Sequence, residues 1–422
     1  MQKLLVIQVA ALGFELTERF PILGKASGLV FRPFSPSFPA VTCTAQATLR
    51  CAAPPARTGV VCNGRFDRIA RRTDFWNQSA RLVRGERIWS SFRARGGKVG
   101  MLFWQQSLGE DLDLLLSPAP IHRHHGGMIE DCYGKPSDLY PRLVAALGRP
   151  FRLRSYWGPS ASEASSRWIA EATRAVMTAP DLAPDLLMTY LPHLDYTLQK
   201  LGPETTRRLE RDVNVLADVL RSLVNTAQEQ GYDVVVWGDY AITPANKPVF
   251  LNRVLRDAGF FDLRHVGRRT YPDLYRSRAF AMADHQLAHI YVRNARDIEP
   301  VKKTLTGLPG VADVLPHESI DHPESGECIA LAEADAWFAY PWWTEKHEAP
   351  DYAAHVDIHN KIGFDPCELF WGLPGISVSL DPSRVKGTHG RNEVPAAFGA
   401  TMEMPECTEL IQLARCIKNA IR

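Results

Sequence analysis

Three features that other proteins have are missing from this 422-residue sequence, and each absence excludes a class of protein. No apolar run approaches the roughly 18 residues that a transmembrane helix needs, so no membrane partner is expected. The eight cysteines form no Cys-x-x-Cys pair and no zinc-ribbon spacing, a pattern typical of reduced thiols in a cytoplasmic protein. The formal net charge of +2 lacks the basic excess of a nucleic-acid-binding protein, so no nucleic-acid partner is expected. The oligomeric state is left open.

What the sequence does contain is a repeated alternation of apolar strands and amphipathic helices. Strands are predicted at residues 3–9, 99–104, 186–191 and 233–238, and helices at residues 42–50, 78–95, 162–178 and 204–230. Continuous apolar strands separated by helices indicate an α/β protein with a mainly parallel central sheet and helices on both faces. In such folds ligands bind beyond the carboxyl ends of the strands.

Two changes of character divide the chain into three predicted segments. Residues 1–264 carry the alternation and are predicted to form the α/β core. Residues 265–350 contain several short strands around one short helix, which indicates a smaller α+β insertion or an extension of the sheet. Residues 351–422 return to polar, glycine-containing stretches and are predicted to rejoin the core with loops that carry part of the site.

A loop that follows the first strand has the layout of a nucleophile site. Thr42 stands at the start of a predicted helix, and a Pro-Pro turn, Gly59 and Asn63 follow. The free N–H groups of a helix start attract an anion, a hydroxyl there can attack phosphorus, and an amide downstream can bind a phosphoryl oxygen. Thr42 and Asn63 are therefore candidate catalytic residues, with Asn63 also a substrate contact. The alternative for Thr42 is a simple helix N-cap.

Carboxylates and imidazoles follow the later predicted strands. Asp195 and Asp239 come shortly after two of these strands, and His389 lies in a Gly-Thr-His-Gly loop. Asp357 and His359 are two residues apart, so an extended segment would place both on one face. Oxygen and imidazole ligands on separate loops suit Zn²⁺ or Mn²⁺. These five residues are the candidate metal ligands.

Two further groups of polar residues have no firm role. Asp284 and His285 form another carboxylate–imidazole pair that could join a metal site. His122, His124 and His125 lie in a stretch rich in proline and glycine and are predicted to be solvent-exposed.

The order of these residues along the chain resembles the pattern of a known family. Thr42, Asn63, Asp195, Asp239 and His389 occur in the order found in the alkaline phosphatase superfamily, in its nucleotide pyrophosphatase/phosphodiesterase branch. The resemblance covers most of the chain. It implies a phosphoric ester hydrolase that forms a covalent intermediate on the threonine and acts on a small-molecule phosphoester or nucleotide-like substrate.

The same resemblance implies two divalent metal ions, and here the chain departs from the pattern. One ion is held by an Asp, a His four residues later and a late His, but Gln199 stands in the second of these positions. The other ion is held by an Asp after the first strand, the nucleophile and an Asp-His pair. Ala10 replaces that first Asp, and Tyr240 replaces the His of the pair. Gln199 and Tyr240 are predicted to contact the substrate instead.

These departures leave the number of ions and the reaction open. The chain is similar to a bacterial subgroup of the branch that has altered metal ligands and shares phrases such as Leu-Pro-His-Leu-Asp-Tyr and Val-Asp-Ile-His. The first hypothesis is a phosphodiesterase with a threonine nucleophile and divalent metal, with zinc favoured over manganese and fewer than two sites allowed. The second is a one-metal or metal-free transferase or lyase acting on a phosphorylated or nucleotide-linked small molecule. The third is a non-catalytic binding protein whose site has decayed.

Overall fold

The computed structural model describes residues 2–124 and 127–421. Its strands are β1 (Lys3–Val9), β2 (Arg32–Phe34), β3 (Gly64–Asp67), β4 (Arg72–Phe75), β5 (Val99–Leu102), β6 (Leu114–Pro118), β7 (Ile121–His122), β8 (Met128–Ile129), β9 (Cys132–Lys135), β10 (Leu186–Leu191), β11 (Tyr232–Gly238), β12 (Thr243–Pro244), β13 (Lys247–Val249), β14 (Leu263–Val266), β15 (Arg269–Pro272), β16 (Ala279–Asp284), β17 (Leu287–Val292), β18 (Val311–Pro316), β19 (Cys328–Ala332), β20 (Ala336–Phe338), β21 (Gly387–Thr388) and β22 (Ala396–Ala400). Its α-helices are α1 (Phe14–Arg19), α2 (Ile22–Ser27), α3 (Thr42–Cys51), α4 (Pro55–Thr58), α5 (Ser90–Ala94), α6 (Leu139–Leu147), α7 (Ala164–Thr178), α8 (His193–Leu201), α9 (Arg207–Glu229), α10 (Leu251–Asp257), α11 (Ile298–Leu305) and α12 (Leu410–Ala420).

The core of the protein is an eight-stranded sheet with the order β2-β22-β11-β1-β10-β5-β6-β9. Its five middle strands, from β11 to β6, run parallel, and the edges add antiparallel strands. Every residue of β10 is buried, as is every residue of β1 after its first, because both faces of the sheet are covered. The prediction of an α/β fold with a mainly parallel sheet is confirmed.

The register of the three innermost strands determines where the site lies. Val9 at the end of β1 pairs with Leu191 at the end of β10 on one side and with Gly238 at the end of β11 on the other. The residues that follow these strands therefore leave the sheet side by side. This is the edge at which α/β proteins bind ligands.

A second, antiparallel sheet with the order β16-β17-β19-β18 lies within the predicted insertion, and α11 connects two of its strands. Its apolar core extends beyond that segment. Leu251 and Phe261 from the chain before it, and Phe66 and Phe75 from the β3–β4 hairpin, belong to the same buried cluster. The division into residues 1–264, 265–350 and 351–422 stays a prediction.

The predicted helix at residues 78–95 is wrong. Only a short turn at Ala80–Leu82 and α5 are helical there. Gly85 has a φ of +100°, which a right-handed helix cannot contain, and it separates the two pieces. The other three predicted helices match α3, α7 and α9 to within three residues at each end.

Two of the three histidines predicted to be solvent-exposed, His122 and His124, are exposed in the structure. His125 lies outside the described residues. No helix in residues 2–124 and 127–421 combines the length and apolar character needed to cross a bilayer.

Candidate active site

Thr42 is the first residue of α3, and its side chain does not cap the helix. The N-cap position belongs to Val41, which is extended with φ −134° and ψ 156°. Thr42 is buried, and its hydroxyl lies 3.3 Å from the hydroxyl of Tyr240. The N-cap alternative for Thr42 is therefore wrong, because its hydroxyl faces another side chain instead of the helix backbone.

Four of the predicted site residues form one hydrogen-bonded line. The Tyr240 hydroxyl, which contacts Thr42, donates to Asp195 Oδ1 at 3.2 Å. The other oxygen of Asp195, Oδ2, accepts from Gln199 Nε2 at 2.7 Å. Asp195 and Gln199 are four residues apart on α8, so both lie on one face of that helix. Burial raises the pKa of Asp195 to about 6, although the hydrogen bonds from Gln199 and Tyr240 act in the opposite direction.

Asn63 bridges the start of α3 and the end of β16. Its Oδ1 accepts a hydrogen bond from the backbone N–H of Cys43 at 3.0 Å. Its own backbone N–H and its Nδ2 donate to the two oxygens of Asp284, at 2.8 and 3.1 Å. Asp284, whose role the sequence leaves open, therefore orients Asn63. Burial raises the pKa of Asp284 to about 7, against the effect of these two hydrogen bonds.

Four rings stack into a column beside Thr42. The rings of Tyr240 and His389 are nearly parallel, with centroids 3.5 Å apart, and His285 follows at 3.6 Å from His389. Phe364 ends the column, 4.1 Å from His285. His285 has a φ of +61°, because it occupies the two-residue turn between β16 and β17. A non-glycine residue in this region costs about 1 kcal/mol, so the column is maintained against local strain.

The imidazole of His389 is neutral and has a defined tautomer. Its Nδ1 lies 2.8 Å from the carbonyl oxygen of Ala40, which can only accept, so Nδ1 carries the proton. Burial lowers the pKa of His389 to about 3, and the pKa of His285 is also well below its usual value, through burial and the nearby His389. Nε2 of His389 therefore presents a lone pair.

Asp239 is held by a series of amide groups that sequence reasoning missed. Its Oδ1 accepts from the backbone N–H of Ala11 at 3.0 Å, and its Oδ2 accepts from Gln8 Nε2 at 2.8 Å. Gln8 Oε1 accepts from Gln46 Nε2 at 2.8 Å, and Gln46 Oε1 accepts from the backbone N–H of Gln105 at 2.7 Å. Burial, with a smaller contribution from the charge of Asp195, raises the pKa of Asp239 to about 7. The available signal was Gln8 itself, a polar residue inside an apolar strand.

Asp357 and His359 are not bonded to this group. Asp357 Oδ1 accepts from the backbone N–H groups of His359 and Asn360, at 3.3 and 3.1 Å, and so closes its own turn. His359 Nδ1 lies 3.0 Å from the carbonyl oxygen of Phe75. Both residues line the same cavity as Thr42, but their polar groups satisfy local backbone partners.

That cavity is large and is lined by several aromatic side chains. It has a volume of about 1170 Å³, and Thr42, Asn63 and Asp195 line it together with the indole rings of Trp76 and Trp157. A space of this size exceeds the upper end of the usual range for small-molecule sites, about 1000 Å³. The described geometry therefore places a hydroxyl, an amide and a carboxylate in a cavity that accepts a drug-sized molecule.

Comparison with known proteins identifies the family. A family model described as "Type I phosphodiesterase / nucleotide pyrophosphatase" matches residues 4–365. The chain belongs to this family. The predicted superfamily and the prediction of a phosphoric ester hydrolase are thereby confirmed at the level of the family. No curated protein sequence gives a significant match.

Solved structures share the fold of this protein at low sequence identity. Murine ectonucleotide pyrophosphatase/phosphodiesterase 5 is 14% identical with a TM-score of 0.61, and the alignment covers 100% of this chain and 95% of that one. An inactive variant of the murine protein was solved in complex with AMP. Phosphonoacetate hydrolase from Sinorhizobium meliloti 1021, in complex with phosphonoformate, is 13% identical with a TM-score of 0.66, covering 100% and 96%.

Members of this family typically depend on divalent metal ions, but two ions do not fit the residues present here. The side chain of Ala10 has no donor atom, and Asp239 is fully buried and does not line the cavity, unlike Asp195. Among residues 2–124 and 127–421, no group of three or more His, Cys, Asp or Glu side chains is arranged to hold a metal ion. The predicted set of Asp195, Asp239, Asp357, His359 and His389 is thus not gathered around one point, since three of these side chains are bonded elsewhere.

Residues that could hold one ion line the cavity. Gln199 is buried, and within the described part of the chain its Oε1 has no hydrogen-bond partner. The carboxylate of Asp195 and the Nε2 lone pair of His389 belong to the same site. A buried oxygen without a hydrogen-bond partner costs free energy, so it favours the binding of an ion or molecule that can accept its lone pair. A carboxylate, an amide oxygen and an imidazole suit Zn²⁺ or Mn²⁺.

A buried ion cluster supports the cavity wall. Lys361, only 1% exposed, donates through Nζ to Asp365 at 2.8 Å and to Glu368 at 2.6 Å. Glu368 in turn accepts from Trp157 Nε1 at 2.6 Å and from the backbone N–H of Asp357 at 2.9 Å. Burial alone would lower the pKa of Lys361, but the two carboxylates raise it above its usual value. The cluster therefore ties two cavity-lining segments together.

The three buried carboxyl groups of the site predict how stability depends on pH. Native Asp195, Asp239 and Asp284 keep their protons up to about pH 6, 7 and 7, whereas an unfolded aspartate loses its proton near pH 3.9. Between these values the native state binds more protons than the unfolded state. The free energy of unfolding of chelator-treated protein should therefore fall as the pH rises through this window.

Denaturant titrations at several pH values measure this fall, and Asp284→Asn is the matched control. The variant removes one of the three groups, so its stability should fall by about one third less over the same window. If the wild type and Asp284→Asn showed the same pH dependence, the assignment of a proton to native Asp284 would be contradicted.

Proposed function

We propose that this protein is a phosphodiesterase that hydrolyses a small-molecule phosphoric ester through a covalent intermediate on Thr42, with a single divalent ion bound at Asp195, Gln199 and His389. The observation that carries the proposal is the position of the Thr42 hydroxyl. It lies at the first turn of α3, within hydrogen-bond distance of Tyr240, and it opens onto the cavity between Asn63 and Asp195.

The residues of the site can carry out both halves of the reaction. Thr42 Oγ1 forms a bond to phosphorus while the bond to the leaving oxygen breaks, and the leaving group departs with that electron pair. The Thr42 proton passes to the Tyr240 hydroxyl, whose own proton passes to Asp195 Oδ1, a carboxylate at neutral pH. Water then attacks phosphorus and loses one proton to the solvent, which balances the proton that the departed leaving group takes up. The bond to Thr42 breaks, and Thr42 Oγ1 regains a proton from Asp195 through Tyr240.

Asn63 and the start of α3 bind the phosphoryl oxygens. One hydrogen of the Asn63 amide is donated to Asp284, which leaves the other free for a substrate oxygen. The N-terminal end of α3 carries the positive end of the helix dipole, which favours an anion at this point. Asp284 positions Asn63 and does not itself contact the substrate.

The ion would be held by Asp195, Gln199 Oε1 and His389 Nε2. When bound, it supplies positive charge that neutralises the negative charge of the phosphoryl group. This charge is needed, because the site contains three carboxyl groups, whereas its imidazoles are neutral. Zinc or manganese suits one imidazole and two oxygen ligands.

The cavity supports a nucleotide-like or similarly sized substrate. The murine relative binds AMP and the bacterial relative binds phosphonoformate or phosphonoacetate, so both bind small phosphorus-containing molecules. The faces of Trp76 and Trp157 offer stacking surfaces for the part of the substrate that is not phosphate. The eight free cysteines support a cytoplasmic location.

The proposal is tested by turnover of bis-p-nitrophenyl phosphate. Chelator-treated protein is supplied with Zn²⁺ or Mn²⁺, and the release of p-nitrophenolate is followed by its absorbance at about 400 nm. We expect hydrolysis with at least one of the two ions, faster than hydrolysis of p-nitrophenyl phosphate. Asp357→Asn is the control, because Asp357 lies on the cavity wall but its carboxylate bonds only within its own turn. The absence of turnover with both ions would contradict a phosphodiesterase and favour the binding-protein hypothesis.

A further inference from the structure

The carboxylate of Asp239 is hydrogen-bonded by the protein and, unlike Asp195, does not line the cavity. Each of its oxygens accepts one N–H, from Ala11 and from Gln8. The amides of Gln8 and Gln46 are aligned with their N–H ends toward Asp239, and the alignment begins at the backbone N–H of Gln105. Aligned amide dipoles place partial positive charge where the carboxylate needs it.

The Tyr240 hydroxyl lies between Thr42 and Asp195, 3.3 Å from Thr42 Oγ1 and 3.2 Å from Asp195 Oδ1. The ring of Tyr240 lies flat on His389, with an interplanar angle of 4° and centroids 3.5 Å apart. Tyr240 is buried, so it cannot turn away from Thr42 without breaking this stack.

We propose that Tyr240 and the Gln8–Gln46 amides replace an ion beside Thr42, and that the Tyr240 hydroxyl, not a metal, orients the attacking hydroxyl. The role in orientation rests on the proposed function, whereas the replacement of the ion does not. In addition to passing on the Thr42 proton, Tyr240 is a positioning residue: it acts on the substrate through Thr42.

The direction of the hydrogen bonds gives this orientation its physical basis. A tyrosine hydroxyl has one proton, and here it is donated to the carboxylate of Asp195. Tyr240 can therefore only accept from Thr42, which fixes the Thr42 proton on the side of Tyr240. The lone pairs of Thr42 Oγ1 then point away from Tyr240, toward the cavity where phosphorus binds.

The replacement of the ion is tested by counting bound zinc. Wild type, Asp239→Asn and Tyr240→Phe are equilibrated with excess Zn²⁺, freed of unbound ion and measured by plasma mass spectrometry. One ion per chain, or none, in all three proteins supports the proposal, because Asp239 then holds no ion. Two ions in the wild type, or a lower count in Asp239→Asn than in the wild type, would overturn it. A count of zero in all three would also remove the ion from the proposed function.

The orientation role is tested by kinetics on the same diester. Tyr240→Phe keeps the ring stack and removes only the hydroxyl, so kcat should fall about 10- to 100-fold with KM nearly unchanged. Tyr196→Phe is the matched control, since the Tyr196 hydroxyl donates to the carbonyl oxygen of Tyr156 and does not contact Thr42. An unchanged kcat in Tyr240→Phe would overturn the role. If the wild type itself lacks activity, the proposed function fails, and the zinc count still decides the replacement.

Discussion

Replacement of Thr42 by alanine is expected to lower kcat for a phosphodiester by at least about 1000-fold, because Thr42 is the hydroxyl residue of α3 that lines the cavity. The hydrogen bonds that connect Thr42 to Tyr240 and Tyr240 to Asp195 begin at this hydroxyl. Binding of the substrate should change little, since Asn63 and the ion do not depend on the hydroxyl. Steady-state kinetics of both proteins, with the melting temperature as a check on folding, measure the effect.

Thr44→Ala is the matched control for this experiment. Thr44 is also buried on α3, two residues further along, and its hydroxyl has no hydrogen-bond partner among the described residues. The same chemical change there should leave kcat within about threefold of the wild type. Thr42→Ser keeps a hydroxyl and should retain part of the activity. Equal rates for the wild type and Thr42→Ala would show that Thr42 is not the nucleophile.

Replacement of Lys361 by methionine is expected to have the largest effect on stability. Methionine fills a similar volume but leaves Asp365 and Glu368 buried without a positive partner. Loss of one member of a buried ion cluster typically costs about 3–5 kcal/mol, and that range applies here. Denaturant unfolding monitored by tryptophan fluorescence measures it, and Trp157 reports on the site directly because it bonds to Glu368.

The control for Lys361→Met removes the charges that it leaves behind. Adding Asp365→Asn and Glu368→Gln to Lys361→Met makes the cluster neutral, so the triple variant should regain a large part of the lost stability. A triple variant less stable than Lys361→Met alone would show that the cluster stabilises through packing and not through charge balance.

The sequence predicts the location of the site because strand ends are readable from apolar runs. The runs that became β10 and β11 end just before Asp195 and Asp239, and a parallel sheet brings such ends together. Thr42 was predictable for a similar reason, since small residues and a helix start mark its position. These inferences need only the local pattern and the rule that ligands bind at the carboxyl edge.

The sequence does not predict what fills the space around these residues. Gln8 and Gln46 are 38 residues apart, and Gln46 and Gln105 are 59 apart, and no local pattern links them. Asp357 and His359 show the opposite error. Their spacing suggested that both bind one metal ion. In the structure they lie in a turn, where the carboxylate of Asp357 accepts hydrogen bonds from the backbone N–H groups of His359 and Asn360. Motif positions therefore identify which ligands are replaced, and only the structure identifies the replacements.

The series of amides behind Asp239 also fixes the electrical polarity of the cavity floor. Gln8 and Gln46 each donate at one end and accept at the other, so neither can rotate alone without facing a donor against a donor or an acceptor against an acceptor. Their orientation is all-or-none. The orientation is set at the two ends of the series, by the backbone N–H of Gln105, which can only donate, and by an oxygen of Asp239, which accepts. The same fold that positions Thr42 thus sets, without any bound ion, the direction of the electric field beneath it.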